Sequence, residues 1–497
     1  MKKIFLPILI LILIFSVGCG NNAKKINSVE DLKNAKIGCW PGCGYEVVAR
    51  KIFPDAQYIY FDFLSDLVQN LKQNKIDAFV LGKIYADELK MQGIEIDYLP
   101  ENLGDVPTSY IFSKNERGKK ICGEMNEFIK KISDNGELEN LKTKWFAKPE
   151  DERIFQKSKL SGENGILKIS TDAQSQPFVY IKNNNFTGFE VEILDKFCAA
   201  YGYDYEIKLE VFETMLTDVS LGKTDVGVDA IEKLPERENS VIFSIPTVTN
   251  QTVAIINSEN VGENNFFDRI KISLIDENRW QMILEGTLRT ISITIFSIIF
   301  GTLLGFAIYM LYREKNKILN KIINFFVRTI QGIPTMVLLL FFYYTIFGNV
   351  EIPASFVAVT VFSIILSVSV FIMLQSGEKS IPHGQMEAAL SLGFSERRAF
   401  IKFIFPQIVR IFFPSYQLSI NVILLETAIV GYIAVQDLTK MADLIRARTY
   451  DAFVPIIAIA IIYYILSKIL MKITDKISEK LEPKSRKPEK ILPKINL

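Results

Sequence analysis

At 497 residues the chain is too long for one ordinary domain, and three or four units is the expectation. Its 57 Lys and Arg against 56 Asp and Glu leave a net charge of +1, which excludes a global field steering the chain toward nucleic acid or an acidic partner. The balance conceals two halves: charges are interspersed to about Arg279, long apolar runs fill 287–470, and a Lys-rich stretch follows, so a soluble front precedes a membrane-embedded back.

Residues 1–22 read as an export signal. Lys2 and Lys3 precede the apolar stretch 4–15 and the small residues Ser16, Val17, Gly18 and Cys19. Twelve apolar residues fall short of the roughly 20 that cross a bilayer. The Gly18-Cys19 junction before Asn21 and Asn22 resembles a bacterial lipoprotein signal, which implies a lipidated Cys19. Ser16 stands where that pattern usually has Leu, and an uncleaved anchor is the alternative. Either reading places the front half outside the cytoplasm. Cys39 and Cys43 are compatible with a disulfide or with two buried thiols. No metal site is expected, because the single histidine, His383, lies far from any cysteine pair.

Two soluble segments follow. The first, 27–150, carries strand patterns at 37–39, 58–61 and 78–81, helices from Tyr45 and up to Lys72, and a late helix ending near Trp145. A charged linker, 151–164, leads to the second segment, 165–260. This begins Ile169-Ser170-Thr171-Asp172 and continues through Phe186-Thr187-Gly188-Phe189-Glu190, Gly222-Lys223-Thr224-Asp225 and Pro235-Glu236-Arg237 to Ile242-Phe243-Ser244-Ile245-Pro246. The second segment resembles the first lobe of the periplasmic amino-acid-binding protein family, and the first segment its second lobe and C-terminal return. The resemblance implies an α/β two-lobed Venus-flytrap receptor, circularly permuted, since the usual lobe order is reversed. Two truncated receptor copies, each pairing with another chain, is the rival arrangement.

The same resemblance implies the ligand site. Arg237 falls on the family's carboxylate-clamping arginine, where a planar guanidinium suits a bidentate pair. Gly42, Cys43 and Gly44 precede a helix on the other lobe, where free amides can hold the same carboxylate. Asp172, Ser175 and Phe178 occupy the first loop, and Asp229, Ala230 and Glu232 the strand-end loop that touches the ligand. Gly82 stands where the family has the acid that receives the α-amino group, so Asp229, Glu232 or Asp172 is expected to meet a cationic group instead. A polar amino acid is the default solute, and a basic or otherwise unusual one remains open. The Gly222-Lys223-Thr224 echo of a phosphate loop is set aside, because Thr217 occupies the required first Gly.

An amphipathic segment, 264–285, is expected at the membrane surface. The stretch 286–475 then reads as an all-α region of five spans at about 287–312, 329–347, 355–374, 416–435 and 454–470. Arg313, Lys317 and Lys321 after the first span, and the tail 476–497, are basic, which puts the C-terminus in the cytoplasm and the lobes outside it. Glu426 lies deep in the fourth span, where an acid is costly and faces either a solute path or another subunit.

The loop 384–406 contains Glu387-Ala388-Ala389, then Gly393 and finally Phe405-Pro406. It resembles the Glu-Ala-Ala loop of ABC importer permeases, with Phe403 and Phe405 in place of the usual Ile and Leu. Small Ala388 and Ala389 would let a short helix dock closely, Gly393 would permit the turn, and Glu387 would supply charge. The resemblance implies an importer subunit of a five-span permease. Its partners would be an ABC ATPase subunit, a second permease copy forming a homodimer, membrane lipid and an amino-acid-like solute; neither nucleic acid nor a cofactor is expected. The chain itself is expected to be no enzyme. A ligand-sensing membrane receptor without transport, or an importer of another small carboxylate or amine, is the alternative.

Overall fold

A computed structural model of the protein describes residues 26–258, 266–314, 316–348, 350 and 352–481. The export signal 1–22 with Cys19, and all but the start of the tail 476–497, lie outside the described residues. The chain forms two compact units. One runs to Trp280 and takes in Ala442–Ile456; the other is Gln281–Met441 and resumes at Ile457.

The first unit is built on one mixed sheet. From the first soluble segment come β1 (Lys36–Cys39), β2 (Gln57–Tyr60), β3 (Ala78–Gly82), β4 (Ile96–Tyr98) and β5 (Gly104–Phe112). The second segment gives β6 (Ile166–Thr171), β7 (Gln174–Ser175), β8 (Val179–Lys182), β9 (Asn185–Thr187), β10 (Asp204–Leu209), β11 (Val226–Glu232), β12 (Ile242–Phe243) and β13 (Val248–Asn257). The order is β10-β6-β11-β5-β13-β3-β1-β2, with β12 on β5 and β4 on β13, while β7, β8 and β9 make a separate antiparallel sheet. Pairing is parallel toward both edges and antiparallel around β5 and β13.

The two long strands join the segments. β5 pairs with β11 and β13, and β13 passes from Val248, opposite Thr108 of β5, to Ile255, opposite Phe79 of β3. Each end of the sheet has its own core. Ile37, Ala78, Val80, Phe53 and Ala254 pack at one end, and Ile111, Met215, Val219, Ile231 and Val241 at the other. All five residues of β3 are buried, which explains its unbroken apolar run where a half-exposed strand would alternate.

Helices α1 (Gly44–Ile52), α2 (Leu64–Lys72) and α3 (Lys83–Met91) flank the first end, and α4 (Glu116–Asp134), α5 (Phe189–Tyr201) and α6 (Phe212–Ser220) the second. From the amphipathic stretch 264–285, the described part begins with short helical turns over 266–278 that kink at Glu277 and Asn278, both at positive φ, before a long helix begins at Arg279.

The second unit is helical. Its helices are α7 (Arg279–Arg313), α8 (Lys317–Gln331), α9 (Thr335–Phe341), α10 (Ala354–Lys379), α11 (Gly384–Ser391), α12 (Phe405–Glu426) and most of α14 (Phe453–Leu481), while α13 (Leu438–Thr449) folds with the first unit from Ala442 on. Among the described residues, four helical stretches are long and apolar enough to cross a membrane, or five if one bent pair counts as a span. That pair, Lys317–Gln331 with Thr335–Ile346, takes in the expected second span at 329–347. The chain bends by 107° between Gln331 and Thr335, because Pro334 has no N–H to continue the α8 ladder. Gly301 and Gly305 of α7 allow close approach to α10, since a Cβ on either would meet the Ser363 or Ser367 carbonyl within 3 Å. Glu426 is answered inside this unit by the Thr335 hydroxyl at 3.1 Å.

Candidate functional site

The ends of the sheet form two lobes, and the residues singled out for binding meet between them. Arg237 follows Pro235 in a single helical turn. Its Nη1 donates to the Glu232 carbonyl and to Glu232 Oε2, both at 3.1 Å, and its Nη2 donates to the Gly42 carbonyl of the opposite lobe at 3.0 Å. The guanidinium lies over the Phe212 ring at 5.0 Å. Glu232 also closes on Gly44, where a Cβ would come within 3.3 Å of its side chain.

The loop before α1 corrects one expectation. The Gly42 amide is not free for a ligand carboxylate, because it donates to Glu46 Oε2 at 2.8 Å. Cys43 caps α1 by accepting from the Glu46 amide. The sulfurs of Cys39, Cys43, Cys122 and Cys198 are free and buried, so of the two open readings these are thiols. Burial, reinforced by the charge of Glu232, pushes the Cys43 thiol up to about 12. It is therefore protonated and inert at neutral pH.

Gly82 ends β3 with no room for a side chain. A Cβ there would lie 2.0 Å from Asn250 Nδ2 and 2.6 Å from the Tyr45 hydroxyl. Asn250, on β13, donates to that hydroxyl at 3.1 Å and accepts from the Ile84 amide. The place of the missing acid is thus taken by an amide from the strand that joins the lobes.

On the other lobe, Asp229 is buried and accepts from the Asp172 amide at 3.3 Å. Burial first, then the neighbouring Asp172 carboxylate, raises the Asp229 carboxyl well above its usual range, and the Ser175 hydroxyl partly offsets this. Ala230 sits at φ +47 and donates its amide to Glu190 Oε2 at 2.8 Å. Glu190 is fully buried, which raises its carboxyl to about 8. Phe178 is fully buried too, packed on Phe146, Phe189 and, across the cleft, Tyr85 at 5.3 Å.

Sequence reasoning missed the aromatic wall. Tyr85 packs edge-on against Trp40 and Tyr45 at 6.1 and 6.5 Å. These rings stand beside Asp229, Glu232 and Asn250, so the cleft pairs aromatic faces with buried acids, a chemistry suited to a cation. Tyr45 and Tyr85 follow Gly44 and Lys83 in the sequence, but only the fold shows that they face each other.

The second unit presents a different kind of site. After α11 the chain turns at Gly393, at φ +84 with open space where a Cβ would lie, and re-enters a helix at Glu396. Ala389 is buried, while Glu387, Ala388, Leu390 and Leu392 are exposed, Leu392 by 77%. Of the two small residues only Ala388 faces outward. Pro406 lies in the first turn of α12, where its missing N–H costs nothing.

Comparison with known proteins finds two family matches, which overlap over 297–337. Residues 167–337 match the bacterial extracellular solute-binding proteins, family 3, and residues 297–482 match the binding-protein-dependent transport system inner membrane component. The putative glutamine transport system permease protein of Rickettsia typhi is 29% identical over 186 residues, 37% of this chain and 85% of that protein. The L-cystine transport system permease protein of Bacillus subtilis is 28% identical over 195 residues, 39% of this chain and 83% of the relative. The arginine ABC transporter permease protein of Haemophilus influenzae is 28% identical over 183 residues, 35% and 80% respectively. Apolar helices and permease relatives together make this a multi-pass membrane protein. The chain is a solute-binding domain of extracellular family 3 joined to an inner-membrane permease domain of the binding-protein-dependent transport systems.

Proposed function

We propose that the chain captures an amino acid outside the cytoplasm and passes it inward through its own helical unit, using ATP hydrolysed by a separate subunit. The observation that carries this reading is the contact of Arg237 with Gly42 and Glu232, which joins the two lobes at the expected carboxylate clamp. A solute carboxylate would displace Glu232 and the Gly42 carbonyl from the guanidinium. Asp172, Asp229 and Glu232 beside Trp40, Tyr45 and Tyr85 favour a solute with a cationic group. The relatives named for glutamine, L-cystine and arginine transport support an amino acid as the class.

The lobes form one circularly permuted receptor in this reading. Support comes from β5 and β13, which weave 27–150 and 165–260 into a single sheet. The exposed face of Glu387, Ala388, Leu390 and Leu392 is the docking surface for the ATPase subunit, and a second copy of the helical unit completes the pore. The charge pattern of the sequence supports lobes outside and the C-terminus inside the cytoplasm, and the Gly18-Cys19 junction supports lipidation at Cys19.

The test is a thermal-shift screen of the purified full chain against the common amino acids and simple amines. A bound solute raises the melting temperature in proportion to RT ln(1 + [L]/Kd). A saturable rise with one amino acid, lost in Arg237→Ala and kept in Glu387→Ala, is the expected result. No rise with any amino acid would sink the substrate class.

A further inference from the structure

The segment Ala442–Ile456 lies between two apolar helices, yet it folds with the α/β unit. Two arginines spaced two apart near the end of α13 account for this. Arg446 Nη2 donates to Asp66 Oδ1 at 2.7 Å, and its guanidinium lies 4.4 Å from the centre of the Phe63 ring. Both partners are at the start of α2, on the lobe of β1 to β3. Arg448 reaches the other side. It donates to Gln176, to Glu150 at 2.5 Å and to Glu277 at 2.6 and 3.2 Å, and lies over the Tyr180 ring at 5.1 Å. Gln176 and Tyr180 belong to the lobe of β6 and β11, and Glu150 ends the first segment, just before the linker.

The arginine side chains are only 10% and 8% exposed. Removing a guanidinium from water is costly unless carboxylates meet it, and a stranded one is strongly unfavourable. Beneath them, Gln176 also donates to Glu88 of α3 at 2.7 Å, and Glu88 pairs with Arg153 of the linker at 2.7 Å, both side chains almost fully buried. Tyr450 is buried next to them at φ +51, and Asp451 takes the Arg269 guanidinium at 2.7 and 2.8 Å. One short, stiff segment therefore holds an acid of one lobe and the amide and ring of the other. Rotating the lobes apart must take Asp66 from Arg446, leaving it Asp443 of its own helix at 3.1 Å, or take Gln176 and Tyr180 from Arg448, leaving it Glu150 and Glu277, unless the segment pulls free.

We propose that Ala442–Ile456 is a clasp that grips both lobes in their closed arrangement, so that opening the lobes and releasing this segment are one event. The inference goes beyond solute capture and needs only the two lobes. The segment takes in most of α13 and the first turn of α14, so it is covalently continuous with the helical unit. Coupling of this kind is reciprocal: what opens the lobes loosens the clasp, and what loosens the clasp opens the lobes.

The experiment is amide hydrogen exchange on the full chain in lipid nanodiscs. Arg448→Glu is expected to speed exchange about tenfold at 148–153 and 174–182. It is also expected to speed exchange at 62–72, which Arg448 does not touch. Arg446→Glu should do the converse, and the charge swap Arg446→Glu with Asp66→Arg should restore protection at both. Arg237→Ala, which breaks the bridge to Gly42, should speed exchange at 442–456. Exchange at 384–391 reports general unfolding and should stay unchanged. Effects confined to each arginine's own neighbours, a swap that restores nothing, or a 442–456 segment indifferent to Arg237→Ala would overturn the clasp.

Discussion

The two units handle their polar groups in opposite ways. In the α/β unit the candidate site is consumed internally: Arg237 is held by Glu232 and Gly42, Asp229 by Asp172, and the Gly42 amide by Glu46. In the helical unit the Glu387 loop keeps its charge, its outer alanine and two leucines on the surface. The first is a site that must open and exchange partners before it takes a ligand. In the proposed reading the second is a docking face for a partner subunit whose shape need not change, and the first a capture device that must switch.

The contrast is sharpest at the Glu88–Arg153 pair, whose side chains are 1% and 0% exposed. Arg153→Ala leaves Glu88 buried with only neutral partners, Gln92 and Gln176. A loss of about 3–5 kcal/mol is expected, seen as a lower melting temperature of the full chain. An unchanged melt would mean that water reaches this pair and that the lobes are not sealed.

Glu190 gives the next largest effect, and it depends on pH. A carboxyl raised to about 8 in the folded state against 4.5 when exposed binds its proton more tightly folded than unfolded. Its contribution therefore falls as pH rises between those values, by about 3 kcal/mol from pH 5 to pH 7. Glu190→Gln keeps an oxygen for the Ala230 amide but carries no proton to lose. Melts at pH 5 and pH 7 should drop less for the variant than for the native chain. Parallel pH dependence would show that Glu190 is solvated.

How much of this was legible in the sequence follows from how local each signal is. The Glu387-to-Pro406 spacing and the strands depend on neighbours a few residues away and are legible, whereas the Gly42 amide expected to be free is taken by Glu46. The filling of the Gly82 position is not legible, because Asn250 arrives from 168 residues downstream through β13. Arg448 meets Glu150 across 298 residues, and nothing in a basic helix end announces buried acids waiting for it. The bend in the bent pair has a local signal in Pro334, but its angle has none. Proline marks where a helix stops; it does not say how far the next one turns.

Gly82 itself tests whether the lobe-joining strand or the loop decides the cleft. Gly82→Ala would place a methyl group on Asn250 and the Tyr45 hydroxyl, so Asn250 must give up its bonds or shift β13. Overpacking of this kind costs about 2 kcal/mol. It should lower the melting temperature and weaken any solute-induced shift, even though no candidate ligand contact is removed. A variant that melts and binds like the native chain would show that β13 yields freely, and Asn250 would lose its place in the cleft.

The smallest effect belongs to the exposed loop, and it separates folding from coupling most clearly. Gly393 turns the chain at φ +84 with open space around it, so Gly393→Ala meets no clash and carries only the backbone cost of a left-handed residue, about 1 kcal/mol. The melting temperature and solute binding of the full chain should scarcely move. If the loop serves as the docking face, the same variant should lower ATP-driven uptake, because α11 and the helix after it would lose their mutual angle. Uptake that survives Gly393→Ala and also Glu387→Lys would leave the helical unit without a coupling surface at this loop, and the contrast between a switching site and a rigid one would have to be drawn elsewhere.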